Sequence, residues 1–257
     1  LMDLESRENK YPGAYLIPIS KYGTSFVLAS FHNSEHDIHL LTHEMGHAFQ
    51  NYETRKNGID QIEYIFVQPD VAEIHAIGME FFTWDWHHLF FKDQTAKFQF
   101  SKINGALSTI MHCCMSEDFQ QFIYKNPNCS IEEYNQKWVA LQKQYYTYSY
   151  DEDYFNESAY LKAGHGWTTN PHIFCMPFYA VDYSLATLCA IQFWMKAQKD
   201  KEGAWQDYLR LCKVGDTYSY WDAVKLANLR SPFDENVIRE IAQFLGDWLE
   251  KVDDSGF

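Results

Sequence analysis

Basic residues are scarce in this chain: 21 Lys and Arg stand against 35 Asp and Glu, for a net charge of −14. Nucleic acid and anionic membrane surfaces both demand clustered cations, so neither is expected as a partner. A soluble small molecule or peptide is the better fit. Long apolar runs are missing too. The most apolar stretch, Ile173 to Met195, lacks Lys and Arg but carries Asp182, Ser184 and Gln192, with Pro177 near its start, which argues against a membrane span. The six cysteines, Cys113, Cys114, Cys129, Cys175, Cys189 and Cys212, contain no Cys-x-x-Cys pair and no regular framework spacing. They are expected to be reduced, buried thiols of a cytoplasmic protein. There is no charged leader followed by an apolar core and a small-residue cleavage site, so no secretion signal is visible. Repeats, low-complexity tracts and blocks of like charge are likewise lacking. The chain opens at Leu1 directly into LMDLESREN, a stretch expected to be helical, which suggests a piece of something longer.

What is present is a chain of 257 residues, 46% hydrophobic and 18% aromatic, enough to bury a large core in one or two domains. Its most informative segment is Asp37 to Tyr52, DIHLLTHEMGHAFQNY. It contains His43-Glu44-Met45-Gly46-His47, the His-Glu-x-x-His spacing that places two imidazoles one above the other on a helix with the acid beside them. Ile38, Leu41, Met45, Ala48 and Tyr52 form an apolar stripe roughly opposite the histidines, so one face is expected to pack while the other does chemistry. The motif helix is expected to end near Lys56, before Asn57-Gly58. Pro69-Asp70 then opens a second helix running to about Phe91. Glu73 on that helix, 26 positions after His47, is a suitable third ligand for a zinc ion, leaving one coordination position for water. Glu80, on the same face, is a candidate acceptor to orient a ligating histidine. A rival pair, His32 with His36 or His39 with His43, also has four-residue spacing but no adjacent Glu. The remaining histidines, His75, His87, His88, His112 and His165, are read as ordinary polar residues.

Around this pair the pattern is mostly α, an α+β class with one small antiparallel β element near the N-terminus. Ala14 to Ile19 and Ser25 to Phe31 read as a hairpin about Lys21-Tyr22-Gly23. Its second strand is expected either to edge the cleft and pair with an extended peptide or only to cover the core. Helices are expected over Thr95 to Tyr124, Ser130 to about Tyr146, Pro177 to Lys199, Ala204 to Cys212, Tyr220 to Leu229 and Glu235 to Val252. Ala163 to Pro171, AGHGWTTNP, reads as a flexible loop. Beyond it lie His172, Tyr179 and Tyr183. The two tyrosines are four apart and can face one cleft, where Tyr or His donors could meet the developing oxyanion of amide hydrolysis. An aromatic core helix is the other reading of the same residues.

The runs HEMGHAFQ, DVAEIHAIGMEFF and PHIF..PFYAVDYSLA, taken in order, resemble the catalytic half of the oligoendopeptidase F and thimet oligopeptidase family of zinc peptidases, closest to its bacterial Pz-peptidase-like branch. LESRENKYPGAY resembles the segment preceding the metal helix there. The resemblance spans essentially residues 1–257 and implies one zincin-like, mostly helical catalytic domain with a deep channel, acting on short peptides. It implies one zinc ion held by His43, His47 and Glu73, catalysis by Glu44, and oxyanion stabilisation by His172 and by Tyr179 or Tyr183. Gln50 stands where the thimet branch usually has a further His, and PFYAVDY replaces a Gly-rich tyrosine motif. The resemblance also implies a missing N-terminal helical half as partner. Two alternatives share the motif: a zinc carboxypeptidase, and a helical binding module without catalysis.

Overall fold

The computed structural model describes residues 1–146 and 158–257. Its backbone divides into two compact units, residues 1–104 with 185–257, and residues 105–184. Three strands open the first unit: β1 (Met2–Glu5), β2 (Tyr15–Ile19) and β3 (Thr24–Phe31). The helices follow as α1 (Glu35–Lys56), α2 (Ile62–Ile65), α3 (Pro69–Phe82), α4 (His87–Phe91), α5 (Thr95–Lys125), α6 (Ile131–Tyr145), α7 (Ala159–Lys162), α8 (Pro171–Cys175), α9 (Ala180–Ala197), α10 (Lys201–Cys212), α11 (Tyr220–Leu226) and α12 (Glu235–Leu249). The chain leaves the first unit along α5 and re-enters it along α9. The mostly helical class with a small N-terminal sheet is therefore what the protein has.

The sheet differs from the sequence expectation in two ways. β2 and β3 do form the antiparallel hairpin, with Tyr15 opposite Leu28 and Ile19 opposite Thr24, closed by Gly23 in the left-handed region at φ 60°. The opening residues, however, are a strand: β1 pairs in parallel with β3, with Met2 opposite Val27, and makes the sheet mixed. The alternation Met2-Asp3-Leu4-Glu5 is a period of two, which the helical expectation overlooked. The sheet order is β1-β3-β2, so β3 is the central strand and Thr24 to Leu28 have no open edge on the β2 side. The register with β2 runs from Thr24 to Leu28 and stops short of Ala29 to Phe31.

The core of the first unit is built on α3, whose Val71, Ile74, Ala76, Ile77, Phe81 and Phe82 are all buried. Phe82 packs on Phe193 of α9 and on Trp205 and Tyr208 of α10, with ring centroids 5.0–5.8 Å apart. Gly78 makes room for this, since a Cβ there would lie 2.9 Å from the Tyr208 ring. The expected single helix to Phe91 breaks at Thr83, where the turns Trp84–Trp86 and α4 redirect the chain. That places Trp84 4.4 Å from Trp194, centroid to centroid.

In the second unit, Met115, Phe119, Tyr134, Trp138, Leu141, Trp167 and Ile173 form one buried cluster. Ser130 starts α6 with a reciprocal cap: its Oγ accepts the Glu133 N–H at 3.2 Å, and the Glu133 carboxylate accepts the Ser130 N–H at 2.7 Å. The segment expected as a flexible loop is a 3-10 turn, His165–Thr169, entered through Gly164 at φ 82°. Trp167 anchors it by burying its ring and donating to Asn135 Oδ1 at 2.9 Å. All six cysteines are free thiols, but Cys175 is exposed where burial was expected. No helix among the described residues is long and apolar enough to cross a membrane.

Candidate metal centre

α1 begins at a fixed point because Asp37 accepts the backbone N–H groups of His32 and Ser34 at 3.0–3.1 Å. Burial alone would raise the Asp37 pKa, but these backbone donors outweigh it and hold the group below the usual carboxylate range. Three turns of helix carry the chain from there to His47. The apolar stripe is not what this helix buries. Its buried residues are Asp37, Glu44, Gly46, Gln50, Asn51, Glu53 and Thr54, while Met45 and Ala48 are half-covered and Tyr52 is exposed. These polar groups are tolerated because several are matched: Gln50 donates to Thr54 Oγ1 at 2.7 Å, and Thr54 donates to the Cys212 carbonyl at 2.7 Å.

Between the two histidines sits Gly46, and its lack of a side chain sets the spacing of the site. A Cβ there would lie 2.6 Å from Ala76 Cα and 2.6 Å from the His75 carbonyl. α1 and α3 therefore meet backbone to backbone at the level where Glu73 projects. Glu73 is buried, with Oε2 3.3 Å from His43 Nε2 and 4.0 Å from His47 Nε2. One ligand atom from each of the three residues lies within 4.8 Å of the others. Among the described residues this is the one group of three or more His, Cys, Asp or Glu side chains gathered in that way. A tetrahedral ion with bonds of about 2.0–2.1 Å sets its donors roughly 3.3 Å apart, so the donor set suits zinc after a small contraction about His47. The rival histidines do not form such a group: His32 and His36 are exposed, and His39 turns its Nδ1 to Glu80 Oε2 at 3.0 Å.

Electrostatics reinforce the fit. Burial would depress the His43 pKa, yet hydrogen bonds to Glu73 and Glu80 and the charges of both raise it to about 10. Two carboxylates thus concentrate negative potential where a cation would sit. His47 lacks a partner as close, and burial lowers it to about 4, keeping it neutral and able to ligate. Glu44 is also buried, and its Oε2 has no hydrogen-bond partner. Burial foremost, opposed by attraction to His43 and aided by repulsion from Glu73 and Glu80, raises the Glu44 pKa to about 7. A carboxylate oriented by a rigid helix, short of partners and poised near neutrality, suits proton transfer.

Glu80 takes the place expected for an orienting acceptor, with Oε1 2.7 Å from His43 Nδ1. Its second oxygen receives two groups that sequence reading did not find. Lys102 Nζ lies 2.5 Å from Oε2, and His39 completes the set. His39 carried a signal, one turn before His43; Lys102, 22 residues beyond Glu80, carried none. His75 and His87, read as ordinary polar residues, are buried. Burial lowers His75 to about 3 and His87 to about 4.

In the second unit, His172, Tyr179 and Tyr183 form a cluster of their own. The His172 ring stacks on Tyr179 with centroids 5.7 Å apart and meets Tyr183 edge-on at 5.8 Å, while the two phenol rings are 5.2 Å apart. Asn170 fixes the start of α8 by accepting the His172 N–H at 3.1 Å. Tyr179 stands just before α9 and Tyr183 within it, so the phenols share a face as their spacing implies.

Residues 1–243 match the sequence profile of peptidase family M3. Among solved structures, one described as an oligoendopeptidase F is 37% identical over all of this chain and 44% of its own, with a TM-score of 0.89. Pz peptidase A, solved with an inhibitor, is 38% identical over 99% of this chain and 44% of its own, with a TM-score of 0.90. A third, described as an oligoendopeptidase F from Bacillus anthracis str. Ames, is 35% identical over 100% of this chain and 42% of its own, with a TM-score of 0.84. The chain thus spans less than half the length of the solved proteins it matches. No curated protein is a match.

Proposed function

The chain belongs to peptidase family M3, and from that premise we propose that it is the zinc-dependent catalytic domain of an endopeptidase that cleaves internal bonds of short peptides. The observation that carries the reading is the gathering of His43, His47 and Glu73 beside the buried carboxylate of Glu44, whose Oε2 has no hydrogen-bond partner. His43, His47 and Glu73 would hold one zinc ion. In that donor set zinc supplies the Lewis acidity that makes water acidic enough to attack near neutral pH and that polarises the scissile carbonyl.

The chain's own residues do the rest. Glu44 accepts the proton of the attacking water at its free carboxylate oxygen and passes it to the departing amine nitrogen. His47, neutral through burial, and His43, with Nδ1 engaged by Glu80, present Nε2 as ligand atoms. We assign His172, and Tyr179 or Tyr183, as donors to the developing oxyanion; the motif PHIF..PFYAVDY and the shared cluster of the three rings support that role. Removing one such donor costs on the order of 3 kcal/mol in barrier. Residues 1–257 then form one catalytic domain, working with the N-terminal half that the family resemblance implies. A cytoplasmic location fits the six free thiols.

Internally quenched peptides blocked at both ends test this reading, compared with the same peptides carrying a free C-terminus. The expected result is cleavage of the blocked peptides in the presence of zinc, with turnover down about 10²–10⁴-fold in Glu44→Gln while zinc stays bound. Cleavage restricted to free C-termini would instead make the protein a carboxypeptidase. Full turnover by Glu44→Gln would remove the assigned base.

A further inference from the structure

We propose that Lys102 is a positioning residue for the metal centre, acting through Glu80 on His43. The proposal rests on the zinc reading of His43, His47 and Glu73 and adds to it a side chain that touches neither metal nor substrate. Glu80 lies at the centre of the argument because it is 2% exposed and spends both its oxygens. Oε1 faces His43 Nδ1 at 2.7 Å, and Oε2 faces Lys102 Nζ at 2.5 Å and His39 Nδ1 at 3.0 Å. A buried carboxylate in such a setting needs an equally buried cation, and among the described residues Lys102 supplies it, with 8% of its side chain exposed. His39 is 40% exposed at the side chain and takes the outer position on the same oxygen.

The chemistry follows from which histidine nitrogen carries the proton. An ionised Glu80 accepts from Nδ1–H and leaves the Nε2 lone pair of His43 directed toward Glu73 and His47, where a metal would be shared. Lys102 makes that arrangement the stable one by supplying charge and a donor to Oε2, so that Oε1 is left to His43 alone. Without Lys102 the carboxyl group is short of a buried counter-charge. It then turns toward solvent, away from His43, and the ring loses the acceptor that fixes its orientation. Lys102 Nζ also lies over the Phe81 ring, 5.2 Å from its centroid, a second attraction that holds the ammonium beside Glu80.

The test is zinc affinity, measured on the whole chain by competition with a chromophoric chelator, together with the melting temperature of the metal-free protein. Lys102→Met is expected to weaken zinc binding about 10-fold or more, within the range for groups that orient metal ligands. Lys102→Arg, which keeps charge and donor, is expected to recover most of it. In a Glu80→Gln background the Lys102→Met change is expected to have no further effect on zinc affinity, because the group it acts through has lost its charge. An affinity within about twofold of the parent in Lys102→Met, whatever its melting temperature, overturns the proposal, since the loss of a group that orients a metal ligand has a larger effect. If Lys102→Met fails to fold, the Glu80→Gln pair decides, and a further loss of zinc on adding Lys102→Met there overturns it. His43→Ala separates this proposal from the reading beneath it. Should His43→Ala bind zinc as the parent does, the site itself is misassigned; should it lose zinc while Lys102→Met keeps it, only the role of Lys102 falls.

Discussion

Substituting Gly46 with Ala adds one methyl group at the closest approach of α1 and α3, and its consequences can be worked from the contacts it would make. The new Cβ would lie 2.6 Å from Ala76 Cα, 2.6 Å from the His75 carbonyl oxygen and 3.0 Å from Met79 Cβ. Two of these are backbone atoms of a helix that is buried along most of its length, so no side chain can swing away. Ordinary contact begins near 3.4 Å, so the helices must part by roughly 0.8 Å in an interior packed as densely as a crystal. Overpacking of this kind costs about 1–3 kcal/mol, and the better helix propensity of Ala returns about 1 kcal/mol of it. A net loss of up to about 2 kcal/mol should appear in urea denaturation of the metal-free chain. The larger effect should fall on the metal. Glu73 moves with α3 while His43 and His47 move with α1, and metal–ligand distances tolerate only about 0.2 Å. Zinc affinity by chelator competition should therefore drop more than stability does. Gly46→Ala with parental stability and parental zinc affinity would refute the claim that backbone contact at this point sets the donor spacing.

Three further outcomes follow from the same geometry. Glu44 has a pKa of about 7 in the folded, metal-free chain against an ordinary 4.5, so the folded state holds the extra proton between those values and stability falls as pH rises through that window. Glu44→Gln should consequently stabilise the metal-free chain by about 3 kcal/mol at pH 8 and by little at pH 4, and a gain independent of pH would contradict the cause assigned to the shift. His43, raised to about 10 by Glu73 and Glu80, is protonated at pH 8 without metal and must lose that proton to bind zinc. Calorimetry at pH 8 in buffers of differing ionisation heat should show about one proton released per zinc, and identical heats in all buffers would count against it. Glu73→Ala should abolish stoichiometric zinc binding, and an unchanged zinc content by elemental analysis would move the third ligand elsewhere.

Much of the candidate site's geometry could be read from spacing, because helical geometry fixes what four-residue separation means. His43 and His47 sit one turn apart on α1, and Glu73 and Glu80, seven apart on α3, both face them. The parts that could not be read depend on what lies across an interface. α1 buries Gln50, Asn51, Glu53 and Thr54, a face that looks solvated until the Cys212 carbonyl, 158 residues beyond Thr54, is seen to receive its hydroxyl. Lys102 is an unremarkable cation on α5 by sequence, and only the fold brings it to Glu80. β1 was missed for a different reason: four residues of alternation are too few to outweigh a charged, helix-favouring stretch, and the strand exists because β3 offers it an edge. The break at Thr83 has no Pro or Gly to announce it; the packing of Trp84 on Trp194 accompanies the change of direction. Trp167 likewise turns a Gly-rich segment into an ordered turn by finding Asn135.

Anomalous scattering at the zinc edge, from crystals of the chain grown with zinc, tests the central claim most directly. The account predicts one peak, bonded at about 2.0–2.1 Å to Nε2 of His43, Nε2 of His47 and a carboxylate oxygen of Glu73, with solvent in the remaining position beside Glu44. A peak away from these three side chains, or a fourth protein ligand closing the site, would contradict it.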